Sequence, residues 1–231
     1  MNSDSIQIWY GDIAADDAHY QHYWPVLDAA EQAHAGNIKN DLSRKCYVEA
    51  RGRLRNLLAQ ILNEAPDKIN IKKAEHGKPY LADRPDLAFN LSHSAGAMVV
   101  AAAWNCRLGV DMERCRPRTG LTGLAGKCFA EEEIAYWQQL PEEQKTVGFY
   151  RFWTRKEAFV KATGRGIALG LTQCVVNPEN QDGFLRVPAD YGRASTWHAL
   201  DLVLGQDVCS ALVTDKDIVR VSLINWRHEL D

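Results

Sequence analysis

The amino-acid sequence predicts an α+β fold in which the sheets are mainly antiparallel. Strand-like and helix-like stretches occur in clusters in both halves of the chain, without the regular alternation that a doubly wound fold requires. No linker rich in Gly, Ser or Pro separates the halves, so we expect any two lobes to be closely packed.

The first third of the chain predicts a strand followed by two helices. The sequence IQIWYGDI, residues 6–13, alternates and is rich in β-forming residues, so it is the expected first strand. A polar helical stretch follows at residues 16–36. The clearest helix spans residues 41–64, where apolar side chains recur at helical spacing and Asp41 or Ser43 is the expected N-cap.

The middle and the end of the chain predict further strands around two helices. The apolar run Ala97–Trp104 has the length of a strand, and three turn-type residues separate it from LGVDMER at residues 108–114. We therefore expect these two strands to form a β-hairpin. Helical patterning covers residues 121–139 and 145–163, and beyond residue 170 the sequence returns to strands and turns.

Composition excludes several classes of partner. Of the 231 residues, 46% are hydrophobic and 25% are charged, which is the balance of an ordinary globular protein. The net charge of −3 gives no footprint for nucleic acid or an anionic membrane surface. No apolar run reaches the length of a membrane span, and the N-terminus does not resemble a signal peptide. We therefore expect neither nucleic acid nor membrane as a partner.

The cysteines carry no metal-binding or disulfide signature. They are Cys46, Cys106, Cys115, Cys128, Cys174 and Cys209. Because they are scattered and form no C-x-x-C pair, zinc ligation and a disulfide framework are both disfavoured. We expect free, partly buried thiols and a reducing, cytoplasmic location.

The segment GVDMER has the donors of a divalent cation site. On a strand, Asp111 and Glu113 share one face, where two carboxylates repel each other unless a cation or a basic group lies between them. Oxygen ligands of this kind suit Mg²⁺ above all. The alternative is a solvated strand face on which Arg114 and Arg116 are the salt-bridge partners.

Charged residues interrupt the helix at residues 145–163, where an apolar face is expected. At about 100° per residue, the apolar side chains from Phe149 to Val160 form one arc, and Lys156 points into its middle. Glu157 and Lys161 are four residues apart and share a face at the edge of this arc. They form either a surface ion pair or the charged lining of a site.

Two further stretches are candidates for binding an anion. In FNLSHSAG, Ser92 and His93 lie beside a predicted strand end. Because the G-x-S-x-G elbow is absent, an anion-binding turn or a capped turn is favoured over a nucleophile. In the basic helix, Arg44, Arg51 and Arg55 fall within about 40° of one another and either bind a phosphate group or are solvated.

Five short motifs, in this order, carry a family resemblance. HGKPYL, FNLSHS, LGVDMER, CFAEEE and FWTRKEAFVKATGRG follow one another over residues 76–166. Together they closely resemble the 4′-phosphopantetheinyl transferase superfamily, in its larger, surfactin-synthetase-activating type. The resemblance implies two similar α+β lobes with pseudo-two-fold symmetry and an active site in the cleft between them. We place the lobes at residues 1–107 and 108–231, in a monomer.

The resemblance also implies a reaction. The enzyme would transfer the 4′-phosphopantetheine group of coenzyme A to a serine of an apo carrier protein, with Mg²⁺ as cofactor, and release adenosine 3′,5′-bisphosphate. Acyl, peptidyl and related carriers are all compatible with the sequence. Two other classes stay open, namely a hydrolase or acyltransferase with Ser92 or Ser94 as nucleophile, and a non-catalytic module that binds coenzyme A or a carrier.

The motifs assign the catalytic residues and the metal ligands by resemblance. Asp111, Glu113 and Glu157 match the metal-binding triad of the family. Glu157 also matches its candidate general base, for which a metal-bound water is a rival. Lys161 matches a lysine at the diphosphate that stabilises the leaving group. Asp111, Glu157 and Lys161 are therefore the expected catalytic residues.

The remaining motifs assign the coenzyme A contacts in the same way. Lys78 and Pro79 match the block beside the adenine. Ser92 and His93 match residues at the nucleotide, with His93 near the 3′-phosphate.

Two of the assignments by resemblance leave alternatives open. Glu133 matches an acidic position near the metal and the cofactor, with the two preceding glutamates as alternatives. A basic residue of the first half is expected at the 3′-phosphate, and among the candidates we favour Arg44, then Arg51, over Lys45.

Overall fold

The computed structural model describes residues 5–166, 170–179, 183–217 and 220–226. Within these ranges it confirms the predicted α+β fold with mainly antiparallel sheets. Across the same ranges, none of the helices combines the length and the hydrophobicity that a membrane span requires.

The described residues form six α-helices and eleven β-strands. The helices are α1 (Asp17–Tyr23), α2 (Ala29–Asn37), α3 (Asp41–Leu62), α4 (Leu121–Cys128), α5 (Glu131–Gln139) and α6 (Glu142–Thr163). The strands of the first half are β1 (Ser5–Asp12), β2 (Ile71–Lys73), β3 (Pro79–Leu81), β4 (Leu87–Ser94) and β5 (Ala97–Trp104). Those of the second half are β6 (Leu108–Arg114), β7 (Val175–Val176), β8 (Phe184–Arg186), β9 (His198–Asp201), β10 (Val208–Thr214) and β11 (Arg220–Asn225).

Two larger sheets organise the chain. The first has the strand order β11-β1-β5-β4, in which β1 and β11 run parallel and the other neighbours run antiparallel. The second has the order β6-β10-β9 and is antiparallel throughout. Two short hairpins, β2–β3 and β7–β8, complete the described strand pairing.

Each larger sheet packs against one long helix, and the two sheets also pack against each other. Leu54 of α3 packs with Phe89 of the first sheet, and Phe159 of α6 packs with Ala211 of the second. A third apolar cluster is formed by β1, β5, β6 and β10, and it joins the two sheets. Its most enclosed members are Ile8, Val99, Ala101, Leu108, Val110 and Leu212. This apolar layer holds β4 of the first sheet close to β6 of the second sheet.

The predicted hairpin between β5 and β6 is wrong. Both edges of β5 are already hydrogen-bonded, by β1 and by β4, so no edge is left for β6. β6 pairs with β10 in the second sheet instead. The turn at Asn105, where φ is 54°, carries the chain from one sheet to the other, and β4 and β5 form the hairpin.

Two of the predicted helices are each divided in the structure. The stretch at residues 16–36 forms α1 and α2, separated by a turn that contains Pro25, and the Asp28 side chain caps α2. The stretch at residues 121–139 forms α4 and α5, because the backbone is extended at Phe129. Pro25 was the available sequence signal for the first of these breaks, because a proline inside a helical pattern interrupts the helix.

The end of the described chain returns to the first sheet. Our division at residue 107 assigns residues 220–225 to the second lobe, yet this strand, β11, pairs with β1 from Ser5–Arg220 to Tyr10–Asn225. A strand from the end of the described chain therefore completes the sheet of the first half. For the rest of the chain, the division into residues 1–107 and 108–231 stays a prediction.

One pair of cysteines departs from the expectation of free thiols. The structure joins Cys115, which follows β6, to Cys209 of β10 in a disulfide, with their Cα atoms 6.2 Å apart. The two positions are 94 residues apart in sequence, and only the β6–β10 pairing brings them together. The free thiols among the described residues are Cys46, Cys106, Cys128 and Cys174.

Candidate active site

A cavity of about 540 Å³ lies where β4, β6 and α6 meet. Six of the residues that the sequence assigned to the site line this cavity. They are Ser92, His93, Asp111, Glu113, Glu157 and Lys161. Because β4 belongs to the first sheet and β6 to the second, this site cavity lies between the two halves of the chain.

Alternate side chains of β4 connect the two sheets at this site. Asn90 Oδ1 accepts a hydrogen bond from the β6 backbone at 2.9 Å. Ser92 Oγ donates to Asp111 Oδ1 at 2.8 Å, and Ser94 Oγ donates to Glu113 Oε2 at 3.0 Å. Because side chains two apart on a strand share a face, the spacing in FNLSHS aims all three polar groups at β6. Asn90 was not among the predicted site residues, and Ser94 was considered only as the nucleophile of a rival hydrolase, although this alternation was the available signal for both.

Asp111 is the centre of the hydrogen-bonded group. Lys161 Nζ donates to Asp111 Oδ1 at 2.6 Å and to Ser92 Oγ at 2.9 Å. Burial raises the pKa of the Asp111 carboxyl, while the charge of Lys161 and the hydrogen bonds act in the opposite direction. Asp111 Oδ2 is buried and accepts no hydrogen bond from the described part of the chain. One carboxylate oxygen is therefore available for a further positive partner.

Glu157 adds a third carboxylate, one helical turn before Lys161. Burial raises the pKa of Glu157, and the negative charges of Asp111 and Glu113 raise it further. The three carboxylates thus repel one another across the cavity. A cation between them would remove this repulsion.

The chemistry of the three carboxylates fits a hard cation, although they do not form a ready-made cluster. In the described ranges, no group of three His, Cys, Asp or Glu side chains is arranged to hold a metal ion. The three acidic side chains nevertheless offer carboxylate oxygens to the site cavity, and Mg²⁺ prefers oxygen ligands of this kind. The buried Asp111 Oδ2, without a partner in the described chain, marks where such an ion would be held.

A second cavity, of about 510 Å³, adjoins the first at Leu91 and His93. Ser43 and Arg51 of α3 line its opposite wall. The guanidinium of Arg51 donates to Glu31 Oε1 at 2.7 Å, so this cation is held in place beside the cavity. The structure thus brings Arg51 and His93 to one cavity.

The other two arginines of α3 lie elsewhere. Arg44 is outside the lining of both cavities, where it pairs with Asp41 and donates to the carbonyl of Ile38 at 3.2 Å. Arg55 is fully buried and donates to Glu31 Oε2 at 2.5 Å. The prediction that Arg55 is either solvated or free to bind phosphate is therefore wrong, because it neutralises acidic residues of α2.

A third cavity, of about 220 Å³, meets the first at Leu91 and Lys161. Lys78 and Pro79, which the resemblance assigned to the block beside the adenine, both line this cavity. The ammonium of Lys78, however, donates to two backbone carbonyls, at 3.0 and 2.8 Å. Burial lowers the pKa of Lys78 to about 8. This ammonium is therefore engaged by the protein itself.

Glu133 is not part of this site. Its carboxylate is fully buried, accepts hydrogen bonds from Lys156 Nζ, and also binds the backbone N–H groups of Ala130 and Val176. The prediction that Glu133 lies at the cofactor is wrong, because Lys156 and two backbone N–H groups occupy both oxygens of its buried carboxylate. Of the two alternatives, Glu132 forms an exposed pair with Arg186.

Trp153 is a cavity residue that the sequence analysis assigned to the core. It is half-buried, stacks on Phe149 at 6.0 Å between ring centroids, and presents the rest of its surface to the site cavity. Cys128 and Leu171 line the same wall. Helical spacing placed Trp153 correctly in the apolar arc, but it does not show where the arc ends and the cavity begins.

Comparison with known proteins decides the family. Residues 107–213 match the model of the 4′-phosphopantetheinyl transferase superfamily, and residues 14–105 match the model of the 4′-phosphopantetheinyl transferase N-terminal region. The chain is 34% identical to the 4′-phosphopantetheinyl transferase HetI of Nostoc sp. over 215 residues, which cover 91% of this chain and 87% of the relative. The chain belongs to the 4′-phosphopantetheinyl transferase superfamily.

Further members of the superfamily match parts of the chain. The 4′-phosphopantetheinyl transferase Sfp of Bacillus subtilis is 34% identical over 115 residues, which cover 50% of each chain. The 4′-phosphopantetheinyl transferase AcpT of Salmonella typhimurium is 36% identical over 148 residues, covering 62% of this chain and 74% of the relative. These relatives support the predicted surfactin-synthetase-activating type of this transferase family.

Proposed function

We propose that this chain transfers the 4′-phosphopantetheine group of coenzyme A to a serine hydroxyl of an apo carrier protein, in a Mg²⁺-dependent reaction that releases adenosine 3′,5′-bisphosphate. Membership of the superfamily supports the transfer. One structural observation carries the rest of the proposal, namely the site cavity in which three carboxylates and the ammonium of Lys161 face one another. Such a set of charges suits a diphosphate bound together with a divalent cation.

Asp111, Glu113 and Glu157 are the proposed ligands of Mg²⁺. The buried, unpartnered Oδ2 of Asp111 and the mutual repulsion of the carboxylates support this assignment. When bound, the ion supplies Lewis acidity to the diphosphate and neutralises charge that develops on it.

The other groups of the site cavity have distinct proposed roles. Lys161, which lies between the first and third cavities, is proposed to donate to the diphosphate and to stabilise the negative charge of the leaving group. Ser92 holds Lys161 and Asp111 together through its hydroxyl. Glu157, or a water held beside it, is proposed to accept the proton of the carrier serine.

The three adjoining cavities suit the separate parts of coenzyme A. Leu91 lines all three, so a single ligand can reach each of them. The diphosphate is proposed at Lys161, the adenine beside Pro79, and the 3′-phosphate between His93 and Arg51. Arg51 replaces Arg44 as the preferred basic residue, because only Arg51 shares a cavity with His93.

The rival reading as a serine hydrolase receives no support from the site. Ser92 Oγ donates to a carboxylate and accepts from Lys161, and neither bond is to an imidazole. Ser94 Oγ likewise donates to Glu113. A nucleophilic serine requires a base that takes its proton, usually a histidine.

The proposed protein partner is an acyl, peptidyl or related carrier. We propose that the transferase acts on it as a monomer in the cytoplasm.

Mass spectrometry of apo carriers tests the proposal. A panel of acyl and peptidyl carrier proteins is incubated with the chain, coenzyme A and Mg²⁺. We expect a mass gain equal to the phosphopantetheine arm on at least one carrier, lost when EDTA is added or when the acceptor serine is replaced by alanine. The absence of this gain on every carrier of the panel would sink the proposal.

A further inference from the structure

Lys78 lies in a turn that the backbone holds in place. It follows Gly77, whose φ of 83° allows the chain to reverse between β2 and β3. Two hydrogen bonds close the turn, from the N–H of Ala74 to the carbonyl of Lys78 at 2.9 Å and from the N–H of Gly77 to the carbonyl of Ala74 at 2.8 Å. The Lys78 side chain therefore starts from a defined position in the first half of the chain.

The ammonium of Lys78 joins two elements of the second half. Its Nζ donates to the carbonyl of Ala162 at 2.8 Å and to the carbonyl of Leu108 at 3.0 Å. Ala162 lies in the last turn of α6, where carbonyls have no partner within the helix. A positive charge is also favoured at this end of a helix. Lys78 thus completes the C-terminus of α6 and attaches it to the first residue of β6.

The aliphatic part of Lys78 packs on the same end of α6. Gly164 caps this helix with φ 74°, and a Cβ added there would lie 3.3 Å from Lys78 Cδ. The glycine therefore leaves room for the lysine stem to pass over the helix end. The Lys78 side chain therefore contacts the end of α6 through both its aliphatic stem and its ammonium.

The two elements that Lys78 joins, α6 and β6, carry the proposed catalytic residues Lys161 and Asp111. Lys161 immediately precedes Ala162 on α6, and Asp111 lies three residues after Leu108 on β6. Their side chains meet at 2.6 Å. A shift of the last turn of α6 along β6 would change this distance directly. Lys78 therefore holds, from the first half of the chain, the helix turn that presents Lys161.

We propose that Lys78 is a positioning residue of the transferase, in which its ammonium fastens α6 to β6 and so keeps Lys161 at the diphosphate. This role differs from a direct contact with the nucleotide, and its catalytic part rests on the proposed function. The enclosure of the amine agrees with it, since burial is the main cause that lowers the pKa of Lys78.

Three measurements on the variant Lys78→Met test the proposal, because methionine keeps a long stem and removes the donors. We expect the rate at saturating coenzyme A and carrier to fall roughly 10- to 100-fold, as a small misplacement of a catalytic group does. The dissociation constant of adenosine 3′,5′-bisphosphate, measured by calorimetry, should stay unchanged. Hydrogen exchange at the last turn of α6 should become faster.

Three further variants complete the design. Lys78→Arg keeps several donors and should recover part of the lost rate. Lys73→Met, on the neighbouring strand β2 and exposed, is the matched control and should resemble the wild type in all three measurements. If Lys78→Met does not fold, Lys78→Gln is measured in the same way, since it keeps an amide donor.

The opposite pattern would overturn the proposal. Weaker binding of adenosine 3′,5′-bisphosphate with an unchanged saturated rate would make Lys78 a nucleotide contact. Unchanged hydrogen exchange at the end of α6 would show that the ammonium does not hold this turn. The exchange measurement needs no substrate, so it decides on the Lys78 contacts even if the wild-type chain modifies no carrier and the proposed function fails.

Discussion

Lys156 Nζ lies 2.7 Å from Glu133 Oε1 and 2.5 Å from Glu133 Oε2, and neither side chain is exposed to solvent. The pair connects the middle of α6 to the first turn of α5. Lys156 also donates to the carbonyl of Cys174 at 2.5 Å, and Glu133 accepts from the N–H of Val176 at 2.8 Å. Because both charges are paired and hydrogen-bonded, a lysine can occupy the apolar arc of this helix.

Removing one member of this pair should strongly destabilise the fold. Lys156→Met leaves the Glu133 carboxylate buried without its counter-charge, and we expect the free energy of unfolding to fall by about 3–5 kcal/mol. Adding Glu133→Gln to this variant should restore part of the loss, because the second change removes the unpaired charge. Urea denaturation measures all three chains.

The control for this pair is Lys145→Met on the same helix. Lys145 pairs with the exposed Glu142 at 2.9 Å, so the expected loss is below about 1 kcal/mol. Equal losses for Lys145→Met and Lys156→Met, or losses that simply add in the double variant, would contradict a buried ion pair.

The acidic residues of the site cavity should be required for activity but not for folding. We expect Asp111→Ala or Glu157→Ala to abolish formation of the holo carrier, because each removes a proposed Mg²⁺ ligand. Circular dichroism should show a folded chain. Glu143→Ala, an exposed acidic position on α6, is the matched control. Near-wild-type turnover of either site variant in Mg²⁺ would refute the metal assignment.

His93→Ala should mainly weaken the binding of coenzyme A. The loss of a charge-assisted contact to the 3′-phosphate is expected to cost about 1–3 kcal/mol. Calorimetry with coenzyme A and with 3′-dephospho-coenzyme A separates this contact from others, since only the first ligand should bind more weakly to the variant. A large fall in the saturated rate with an unchanged KM would argue against the assignment.

The stability that Lys78 contributes should depend on pH above neutrality. Burial lowers its pKa from 10.5 to about 8, so between these values the unfolded chain binds more protons than the folded chain. The contribution of Lys78 to the free energy of unfolding therefore rises with pH across this window. Below and above the window, this contribution does not change with pH. Relative to Lys78→Met, the free energy of unfolding of the wild type should rise by at most about 3 kcal/mol between pH 8 and 10.5.

Denaturation of the two chains at several pH values measures this effect, and their difference removes groups that titrate equally in both. The charged or titratable neighbours that act on Lys78 are Cys106, Asp215 and Arg107. Burial raises the pKa of the Cys106 thiol from 9.0, so this neighbour also titrates at alkaline pH and Cys106→Ser in both chains is the control. A difference in stability that does not change between pH 7 and 10.5 would refute the lowered pKa.

Gly109→Ala should disturb the contact between β6 and α6. A Cβ at this position would lie 2.0 Å from the carbonyl oxygen of Ala158 and 2.4 Å from the backbone nitrogen of Ala162, so the helix must move. We expect a loss of about 1–3 kcal/mol in stability, together with reduced turnover because Lys161 moves away from Asp111. Thermal unfolding and the carrier assay measure the two effects.

The matched control for this substitution is Gly126→Ala on α4. A Cβ there meets nothing within 4 Å, and alanine favours the helix, so stability should be equal or higher. A Gly109→Ala chain as stable and as active as Gly126→Ala would show that β6 and α6 are not in tight contact.

Local periodicity predicted which charged side chains of the site cavity share a face, and the family resemblance assigned their roles. Asp111 and Glu113 share a face because successive side chains of a strand alternate, and Glu157 and Lys161 share a face because a helix turns about 100° per residue. Both rules act over a few residues, so they can be applied to a sequence without a fold. The order of the motifs added the family, which the comparisons confirm.

Pairing between distant segments could not be predicted in this way. The strand β6 follows an apolar strand and a turn, which is the pattern of a hairpin, yet β1 and β4 occupy both edges of β5. The edge that β6 finally joins belongs to β10, which comes almost 100 residues later in the chain. Nothing in the local pattern records which strand edges are already taken.

By itself, the sequence determined the residue types of the site, their faces on β6 and α6, and the family. Only the tertiary structure decided which charges face the cavities. It placed Arg51 beside His93, paired Lys156 with Glu133, and engaged Lys78 with the ends of α6 and β6. The reason is that a charge is paired or buried according to its neighbours in space, and the partners of Lys156 and Lys78 are 18 to 84 residues away along the chain.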